Sequence, residues 1–381
     1  MGSIRSIMYA ALLTALGVAM VPTASSAAPT TSTTSAPSHP FTDISCPAAH
    51  DCYAVGTNPW PGSGTPFVAH LTHGVWSFAE PPWPTVGKLG QLDAIDCYSP
   101  SVCVAVGSSN GAHGGHQQDL ALRLAHGRWH LTTFAAPAHT ADILRDVSCA
   151  GEGRCVAVGE RPNAHAAIAY SLAAGHWTPT RIPPPTGEPA STGLALSGVS
   201  CASKTHCVAV GSDSYTGQPF TATLGAGAWK ASAPVVPENE SDTWSYGVAR
   251  ISCATPSSCV AVGDRENRHG VLRPLVSTLK GNAWTFSTLR RLIAGNGNLA
   301  DIDCLTTQKC FAIGSQGAEI LTEGLHAGSW RGAIHATTAS TYWNEVSCRE
   351  SACEAVGDHS GTTTTGHNYE DGVARTFAYA G

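Results

Sequence analysis

The stretch VSCASKTHCVAVG, residues 199–211, places two cysteines six positions apart and continues into an apolar run that ends in glycine. Six similar stretches occur elsewhere in the 381-residue chain, and the seven copies together contain all 14 cysteines. The first cysteine recurs every 51 or 52 residues and, before the last copy, after 44. A fixed period of this length is typical of a repeat protein. The first cysteines are Cys46, Cys97, Cys149, Cys201, Cys253, Cys304 and Cys348.

Six copies are followed by a second motif, in which a strand-like run leads through a tight turn to tryptophan, as in HLTHGVW before Ser77. Each unit is then interpreted as four short strands, because no segment keeps a helical period over a dozen residues. One four-stranded sheet cannot bury both of its faces, whereas sheets stacked in a ring can. Seven copies therefore predict an all-β fold, a seven-bladed β-propeller with four-stranded antiparallel blades. The tryptophans are Trp76, Trp129, Trp177, Trp229, Trp284 and Trp330.

Each cysteine pair would lie across the turn that joins the first two strands of a blade. One disulfide in each blade would close a small loop and stabilise the fold by about 2 kcal/mol in the chain-entropy model. Buried reduced thiols are the alternative. Zinc fits less well, because five intervening residues exceed the usual two to four and no histidine recurs with the pairs. The predicted pairs are Cys46–Cys52, Cys97–Cys103, Cys149–Cys155, Cys201–Cys207, Cys253–Cys259, Cys304–Cys310 and Cys348–Cys353.

Two other recurrent features are expected to be structural. The Ala-Val-Gly run after the second cysteine would form core between blades, with the small alanine in the crowded inner part and glycine at the strand end. No helix follows that could offer an anion-binding N-terminus, so the run does not resemble a phosphate loop. The repeated tryptophans are interpreted as blade core, with a ligand platform as the alternative.

The N-terminus has the features of an export signal. Arg5 precedes an apolar run, residues 7–21, of about fifteen residues, and Ser25 and Ala27 occupy the small-residue positions of a cleavage site. We therefore predict a signal peptide over residues 1–27 and a secreted, extracellular protein with no membrane span after cleavage. An uncleaved anchor is the alternative, although the run is short for a bilayer span. An oxidising compartment suits fourteen paired cysteines.

Residues 41–381 are expected to form the propeller, but the seventh copy is incomplete. The chain ends at Gly381, where the other copies would continue to the tryptophan strand. Residues 28–40, APTTSTTSAPSHP, either supply the missing outer strand or form a linker rich in Ser, Thr and Pro. The sequence leaves both interpretations open.

The units resemble those of secreted actinobacterial β-propeller repeat proteins with Cys-x5-Cys-x-Ala-Val-Gly blades, over residues 41–381. The layout is also distantly similar to that of sialidase-like propellers, whose Asp-box repeats place a turn and a tryptophan between strands three and four. An Asp box needs Ser and Asp before its glycine, and LAHGRW and LGAGAW have neither. No catalytic residue is therefore carried over, and the resemblance implies architecture alone.

Candidate binding residues lie on the face opposite the disulfide hairpins, where the connections are long and vary between copies. Irregular loops on a rigid scaffold are the usual place for binding residues. Loops on this face carry aromatic and charged side chains, and the segments that enter strand one carry charged side chains toward the central channel. The candidate ligand-binding residues are Trp60, Asp93, Arg145, Tyr215, Arg250, Asp264, Arg265, Asp301 and Glu345.

The net charge and the absence of catalytic motifs limit the kinds of function that the sequence supports. The net charge is -6 and the 21 Lys and Arg residues are spread along the chain, which argues against a nucleic-acid partner. No catalytic elbow, zinc-protease helix or phosphate loop is present. We expect a monomeric, non-catalytic binding or scaffold module for a cell-surface glycan or protein, with no cofactor or metal. The alternatives are a glycan-active hydrolase or lyase of propeller fold, which needs converging carboxylates, and a purely structural surface protein.

Overall fold

The computed structural model of the chain describes residues 33–35, 40–58, 64–83, 89–111, 115–134, 142–187, 193–234, 243–281, 283–289, 296–317, 319–326, 328–335, 340–350, 352–362 and 368–378. Within these residues the strands form seven blades of four antiparallel strands, and a short parallel pairing of residues 133–134 with 176–177 joins the outermost strands of blades 2 and 3. The predicted all-β, seven-bladed propeller is confirmed.

The strands follow the blades in chain order. The first strand, β1 (Thr33–Ser35), precedes blade 1. Blade 1 contains β2 (Phe41–Ala48), β3 (Asp51–Asn58), β4 (Thr65–Thr72) and β5 (Val75–Ala79); blade 2 contains β6 (Leu89–Ser99), β7 (Val102–Gly111), β8 (Gly115–Ala125) and β9 (Arg128–Phe134); blade 3 contains β10 (Ile143–Gly151), β11 (Arg154–Arg161), β12 (Ala166–Ala173) and β13 (His176–Arg181). Blade 4 contains β14 (Leu194–Ser203), β15 (His206–Asp213), β16 (Pro219–Gly225) and β17 (Ala228–Ser232); blade 5 contains β18 (Thr243–Thr255), β19 (Ser258–Asn267), β20 (Leu272–Lys280) and β21 (Ala283–Thr288). Blade 6 contains β22 (Gly297–Thr306), β23 (Lys309–Gln316), β24 (Glu319–His326) and β25 (Ser329–His335); blade 7 contains β26 (Ser340–Arg349), β27 (Ala352–Thr362) and β28 (Asn368–Ala378). A short 3-10 turn, Pro162–Ala164, lies between β11 and β12.

The first strands of successive blades contact one another around the ring, including β26 with β2, and they surround a central channel. We call the end that carries the turns between strands one and two, and between strands three and four, the hairpin face. The opposite end, with the other connections, is the variable loop face. Among the described residues, no helix is long and apolar enough to cross a bilayer.

The ring is closed by the strand that precedes blade 1. Thr33, Thr34 and Ser35 pair antiparallel with Arg375, Ala374 and Val373 of β28. Strand β1 therefore occupies the fourth, outermost position of blade 7, where the other blades have their tryptophan strand.

The apolar core lies between neighbouring blades. The alanine of every Ala-Val-Gly or Ala-Ile-Gly run is fully buried, and Trp177 is fully buried as well. The other repeated tryptophans are buried or pack, half-buried, against these clusters, as Trp129 and Trp284 do. The expectation that both features form core is confirmed. The alanines are Ala54, Ala105, Ala157, Ala209, Ala261, Ala312 and Ala355.

The structure explains why each Ala-Val-Gly or Ala-Ile-Gly run requires its glycine, which the sequence alone did not. Strand two does not end at the glycine; β15, for example, continues from Gly211 to Asp213. Strand one carries a bulge opposite, as between Leu196 and Gly198, and a Cβ on Gly211 would lie 2.0 Å from the carbonyl oxygen of Ala195. A Cβ on the equivalent glycine of every blade would lie 1.8–2.2 Å from a carbonyl oxygen of strand one or, in blade 1, of Pro40 just before it. A side chain is thus excluded by close backbone approach.

All seven predicted disulfides are present, and no cysteine is free. In blades 2 to 7 the two cysteines of a pair stand directly opposite in the ladder between the first two strands, as Cys201 does to Cys207. Each bridge therefore closes a hairpin, as expected.

Candidate functional site

Two layers of side chains project from the first strands and line the central channel. The serine layer consists of the residue immediately before the first cysteine of each blade: Ser45, Asp96, Ser148, Ser200, Ser252, Asp303 and Ser347. The acidic layer lies two residues earlier and consists of Asp43, Asp146, Arg250, Asp301 and Glu345; blades 2 and 4 have Ala94 and Gly198 there.

The serine layer joins each blade to the next. The side-chain oxygen of each member accepts the backbone N–H of the first cysteine in the following blade, at 2.6–3.0 Å. Ser148 accepts from Cys201, and Ser347 accepts from Cys46, which completes the ring. Because the innermost edge of each sheet would otherwise leave these donors unpaired, the layer satisfies buried backbone groups.

Three aspartates of the acidic layer bridge blades in a similar way. Asp146 accepts the N–H of Val147 in its own blade at 2.8 Å and that of Val199 in the next blade at 2.6 Å. Asp43 accepts from Ile44 and Ile95, and Asp301 accepts from Val346. These carboxylates therefore hold the ring together, and two of them use both oxygens to do so.

Arg250 is the cation of the acidic layer. Its guanidinium reaches past blade 6 to form an ion pair with Glu345 of blade 7, and it donates to the carbonyl oxygen of Ser197 at 3.0 Å. Burial lowers the pKa of Arg250. The opposite effect of four carboxyl groups, Glu345, Asp146, Asp301 and Asp43, is larger in total, so the net pKa is raised. One guanidinium is thus surrounded by four carboxyl groups.

The carboxyl groups of this layer have pKa values above the ordinary values for Asp and Glu. Burial raises the pKa of Asp146 to about 7, although Arg250 and the backbone N–H donors lower it. Burial also raises the pKa of Asp301 to about 6. For Asp43 and Glu345 burial again raises the pKa, and neighbouring carboxylates add to the shift. Burial and the proximity of like charges thus favour the neutral form of these carboxyl groups.

A cavity of about 170 Å³ lies in the channel beside both layers. Its lining extends to Arg349, which follows Cys348 and lies 3.9 Å from Asp303. The cavity is therefore nearer the hairpin face than the variable loop face. Within the described part of the chain, no group of His, Cys, Asp and Glu side chains could hold a metal ion.

Of the nine predicted binding residues, the structure brings Arg250, Asp301 and Glu345 together in the acidic layer. Asp93 and Arg145 occupy bulge positions one residue before that layer. Gln91 donates to Asp93 at 2.7 Å, and burial raises the pKa of Asp93 to about 6. Arg145 forms an ion pair with Glu160 at 3.0 Å. Trp60 lies outside the described residues.

Asp264 and Arg265 lie on β19, where it extends toward the variable loop face. Burial raises the pKa of Asp264 to about 6, and Glu266 adds to the shift. Arg265 is buried and donates to the Thr243 hydroxyl at 3.0 Å. Tyr246, a further aromatic of the same segment, is also buried and packs on Phe286. Arg265 is therefore held within its blade.

Tyr215 is presented by a tight loop that is held by hydrogen bonds. The Asp213 carboxylate accepts the Tyr215 N–H at 2.8 Å, and the Asp213 carbonyl accepts the Gly217 N–H at 2.8 Å. The Gly217 carbonyl in turn accepts the N–H of Tyr246 in blade 5. The Tyr215 side chain is 66% exposed and contacts His165 of blade 3, with ring centroids 5.7 Å apart.

Exposed aromatic rings are concentrated on the variable loop face. Trp244 and Tyr342 lie near the starts of β18 and β26, where the first strands of blades 5 and 7 enter the ring, and they are 67% and 51% exposed. We refer to Tyr215, Trp244 and Tyr342 as the aromatic set. On the hairpin face, the exposed aromatic residue among those described is Tyr98.

Sequence reasoning missed two groups. Asp43 belongs to the acidic layer, and aligning the seven copies on their first cysteine would have identified it. A network between blades 2 and 3 was also missed: Tyr170 lies between Asp119 and Asp142, and Arg161 pairs with Asp142. Its members are far apart in sequence, and no local motif joins them.

Comparison with protein-family models finds no match, and no curated protein matches the chain. Several solved structures are similar to the chain in fold. A structure of Ycf48 bound to D1 peptide has a TM-score of 0.58 at 11% identity, covering 92% of this chain and 96% of that one. The Cps50 (Swd1) β-propeller domain of Myceliophteria thermophila has a TM-score of 0.59 at 9% identity, covering 92% and 100%.

A third structure is a polysaccharide lyase, the PL25 ulvan lyase bound to -[GlcA(1-4)Rha3S]-. Its TM-score is 0.55 at 10% identity, covering 91% of this chain and 94% of that one. At such identities the three likenesses show a shared β-propeller fold, on which peptide-bound and saccharide-bound proteins are both found.

Proposed function

We propose that the chain is an exported binding module that holds a carbohydrate on its variable loop face. The observation that carries this proposal is the aromatic set, three exposed rings on the face where the connections vary between blades. Seven disulfides support a working environment that is oxidising, outside the cytoplasm.

The chemistry of the set favours a sugar. The exposed rings belong to three different blades, 4, 5 and 7, and are flanked by polar residues, such as Ser214 and Thr216 beside Tyr215 and Ser245 beside Trp244. A sugar ring offers an apolar face of C–H groups to an aromatic ring and hydroxyl groups to polar neighbours. A protein partner would be expected to cover one contiguous apolar patch instead.

The loop that carries Tyr215 is already ordered by its own hydrogen bonds. Ligand binding therefore does not have to order that loop, and the entropy cost of binding is lower. A ligand that contacts only a small area can then still bind tightly. The peptide-bound Ycf48 structure supports the general use of a propeller of this shape for binding.

A glycan array and calorimetry on the mature protein test the proposal. Tyr215→Ala and Trp244→Ala should each weaken binding of the best glycan at least tenfold. Tyr98→Ala, which removes an exposed ring from the hairpin face, is the matched control and should leave affinity unchanged. Absence of any glycan ligand, or equal losses in all three variants, would contradict the proposal.

A second candidate function, glycan hydrolysis or elimination in the channel, is favoured by one observation. Asp146, Asp301, Glu345 and Arg250 converge, and the pKa values of Asp146 and Asp301 lie at about 7 and 6. Such values suit general acid–base catalysis. Against it, Asp146 uses both oxygens for backbone N–H groups, and Glu345 is paired with Arg250.

Turnover on a polysaccharide panel decides this candidate. If wild-type protein releases reducing or unsaturated ends and Asp301→Asn does not, while circular dichroism shows both folded, the channel is catalytic. If the folded wild-type protein turns over no substrate on the panel, the binding function stands alone.

A further inference from the structure

The network between blades 2 and 3 contains one hydroxyl between two carboxyl groups. The Tyr170 hydroxyl oxygen lies 2.6 Å from Asp142 Oδ2 and 2.9 Å from Asp119 Oδ2. A tyrosine hydroxyl has one hydrogen to donate. If both aspartates were ionised, one of these short contacts would be an oxygen–oxygen contact with no hydrogen in it.

Arg161 decides which carboxyl group is ionised. Its Nε and Nη2 atoms donate to Asp142 Oδ1 and Oδ2 at 2.7 and 2.8 Å, a bidentate pair that requires a carboxylate. Asp142 itself is fully buried. Tyr170 therefore donates to Asp142, and the missing hydrogen belongs on Asp119.

The surroundings of Asp119 agree with a neutral acid. Its Oδ1 atom is buried and has no hydrogen-bond partner among the described residues, which would be costly for a charged carboxylate. Burial raises the pKa of Asp119 to about 7. Hydrogen bonds from Tyr170 and the Asp142 backbone and the charge of Arg161 lower it, whereas the Asp142 charge raises it; among the described residues, these are the titratable and charged groups that face Asp119.

We propose that Asp119 carries a proton that locks blade 2 to blade 3, and that losing this proton loosens the junction. In the locked form the Asp119 carboxyl donates to the Tyr170 oxygen while Tyr170 donates to Asp142. When the proton leaves to solvent, Asp119 becomes a second carboxylate beside Asp142 and competes for the single hydroxyl hydrogen. The bond that crosses the junction is then weakened.

The lock lies beside the proposed binding face. Arg161 directly precedes the turn Pro162–Ala164, and the next residue, His165, contacts Tyr215 of the aromatic set. Loosening the lock would therefore free the blade 3 loop that supports Tyr215. This link concerns the proposed function, whereas the lock itself is independent of any ligand.

Hydrogen–deuterium exchange on the full protein tests the lock, compared at pH 5.5 and pH 8.5 after correction for intrinsic exchange. Both pH values lie about 1.5 units from the value of about 7 for Asp119. Amides of β8 and β12 should exchange several-fold faster at the higher pH, and those of β16 should not change. Asp119→Asn, whose amide can always donate to Tyr170, should abolish the pH dependence.

Tyr170→Phe serves as the second variant, because it removes the shared oxygen and should give fast exchange at both pH values. Its folding is checked by circular dichroism, and if it does not fold, Asp119→Asn alone decides. Unchanged exchange in wild-type protein between the two pH values would overturn the proposal. So would an unaltered pH dependence in Asp119→Asn.

Discussion

The Ser347 hydroxyl accepts the backbone N–H of Cys46 at 3.0 Å, across 301 positions of sequence. The same bond joins every other pair of neighbouring blades, so the junction between blade 7 and blade 1 is bonded like the other six. In all seven blades the bond runs in one direction, from a cysteine N–H back to the preceding blade.

The first prediction concerns this bond. Ser347→Ala leaves the Cys46 N–H buried without an acceptor and should lower the free energy of unfolding by about 1–2 kcal/mol. Ser200→Ala, at the junction between blades 4 and 5, should cost a similar amount. Urea denaturation followed by fluorescence gives both values. A cost for Ser200→Ala with none for Ser347→Ala would show that the ring is not closed in this way.

The second prediction concerns the glycine after the Ala-Val pair. Gly211→Ala places a methyl group 2.0 Å from the Ala195 carbonyl, and the rigid ladder there cannot move without breaking bonds. We expect a loss of about 3 kcal/mol or more, or failure to fold. Gly225→Ala is the control, because nothing lies within 4 Å of the added methyl. Similar thermal midpoints for the two variants would contradict the close-approach explanation.

The third prediction concerns Arg250. Arg250→Met removes the cation of the acidic layer and should destabilise the protein by about 3–5 kcal/mol at pH 8. Because burial already raises the pKa values of Asp146 and Asp301, protonation should relieve the repulsion. The deficit of the variant against wild type should therefore shrink as pH falls from about 7 toward 5. Arg145→Met, in the more exposed pair with Glu160, should cost about 0–1 kcal/mol.

A fourth prediction concerns Glu323, which is buried on β24 with its Oε1 atom unpartnered among the described residues. Burial raises its pKa from 4.5 to about 7. The unfolded chain therefore ionises first, and wild-type stability should fall relative to Glu323→Gln as pH rises from about 4.5 to 7, then stay level. Thermal midpoints should show Glu323→Gln overtaking wild type in this range. A constant difference would contradict the burial of an unpaired acid.

Glu354 offers the comparison for that prediction. It is also buried, but the Thr376 hydroxyl donates to it at 2.9 Å and His50 lies 3.4 Å away. Glu354→Gln disrupts existing bonds and should therefore destabilise the protein. If both substitutions stabilised the protein equally at pH 8, the difference in partners would not be the cause.

The fold was predictable because its determinants are local and repeated. A closely spaced cysteine pair and an apolar run recur in seven copies, a turn before tryptophan recurs in six, and each corresponds to one strand or turn. The role of Ser200 was not predictable from its own unit, because its partner, the Cys253 N–H, belongs to the next blade. The role of the glycine in each Ala-Val-Gly run was not predictable either, because it depends on a bulge in the neighbouring strand.

The candidate site was less predictable, because sequence position does not fix side-chain direction. Arg250 and Glu345 were expected near the channel, but their pairing across blade 6 depends on ring geometry. Arg265 follows Asp264 directly and alternates to a buried side, so it does not share the environment of Asp264. Tyr215 was recognisable as an aromatic in a loop, but the hydrogen bonds that order the loop were not.

The pairing of Thr33–Ser35 with β28 has a consequence for how the protein is made. Synthesis proceeds from the N-terminus, so β1 is made before the six blades that follow it, and its partner β28 is made after them. Six blades can form their hairpins and disulfides during synthesis, each from contiguous chain. The seventh must wait, so the ring becomes complete only after β28 has been made and has paired with β1.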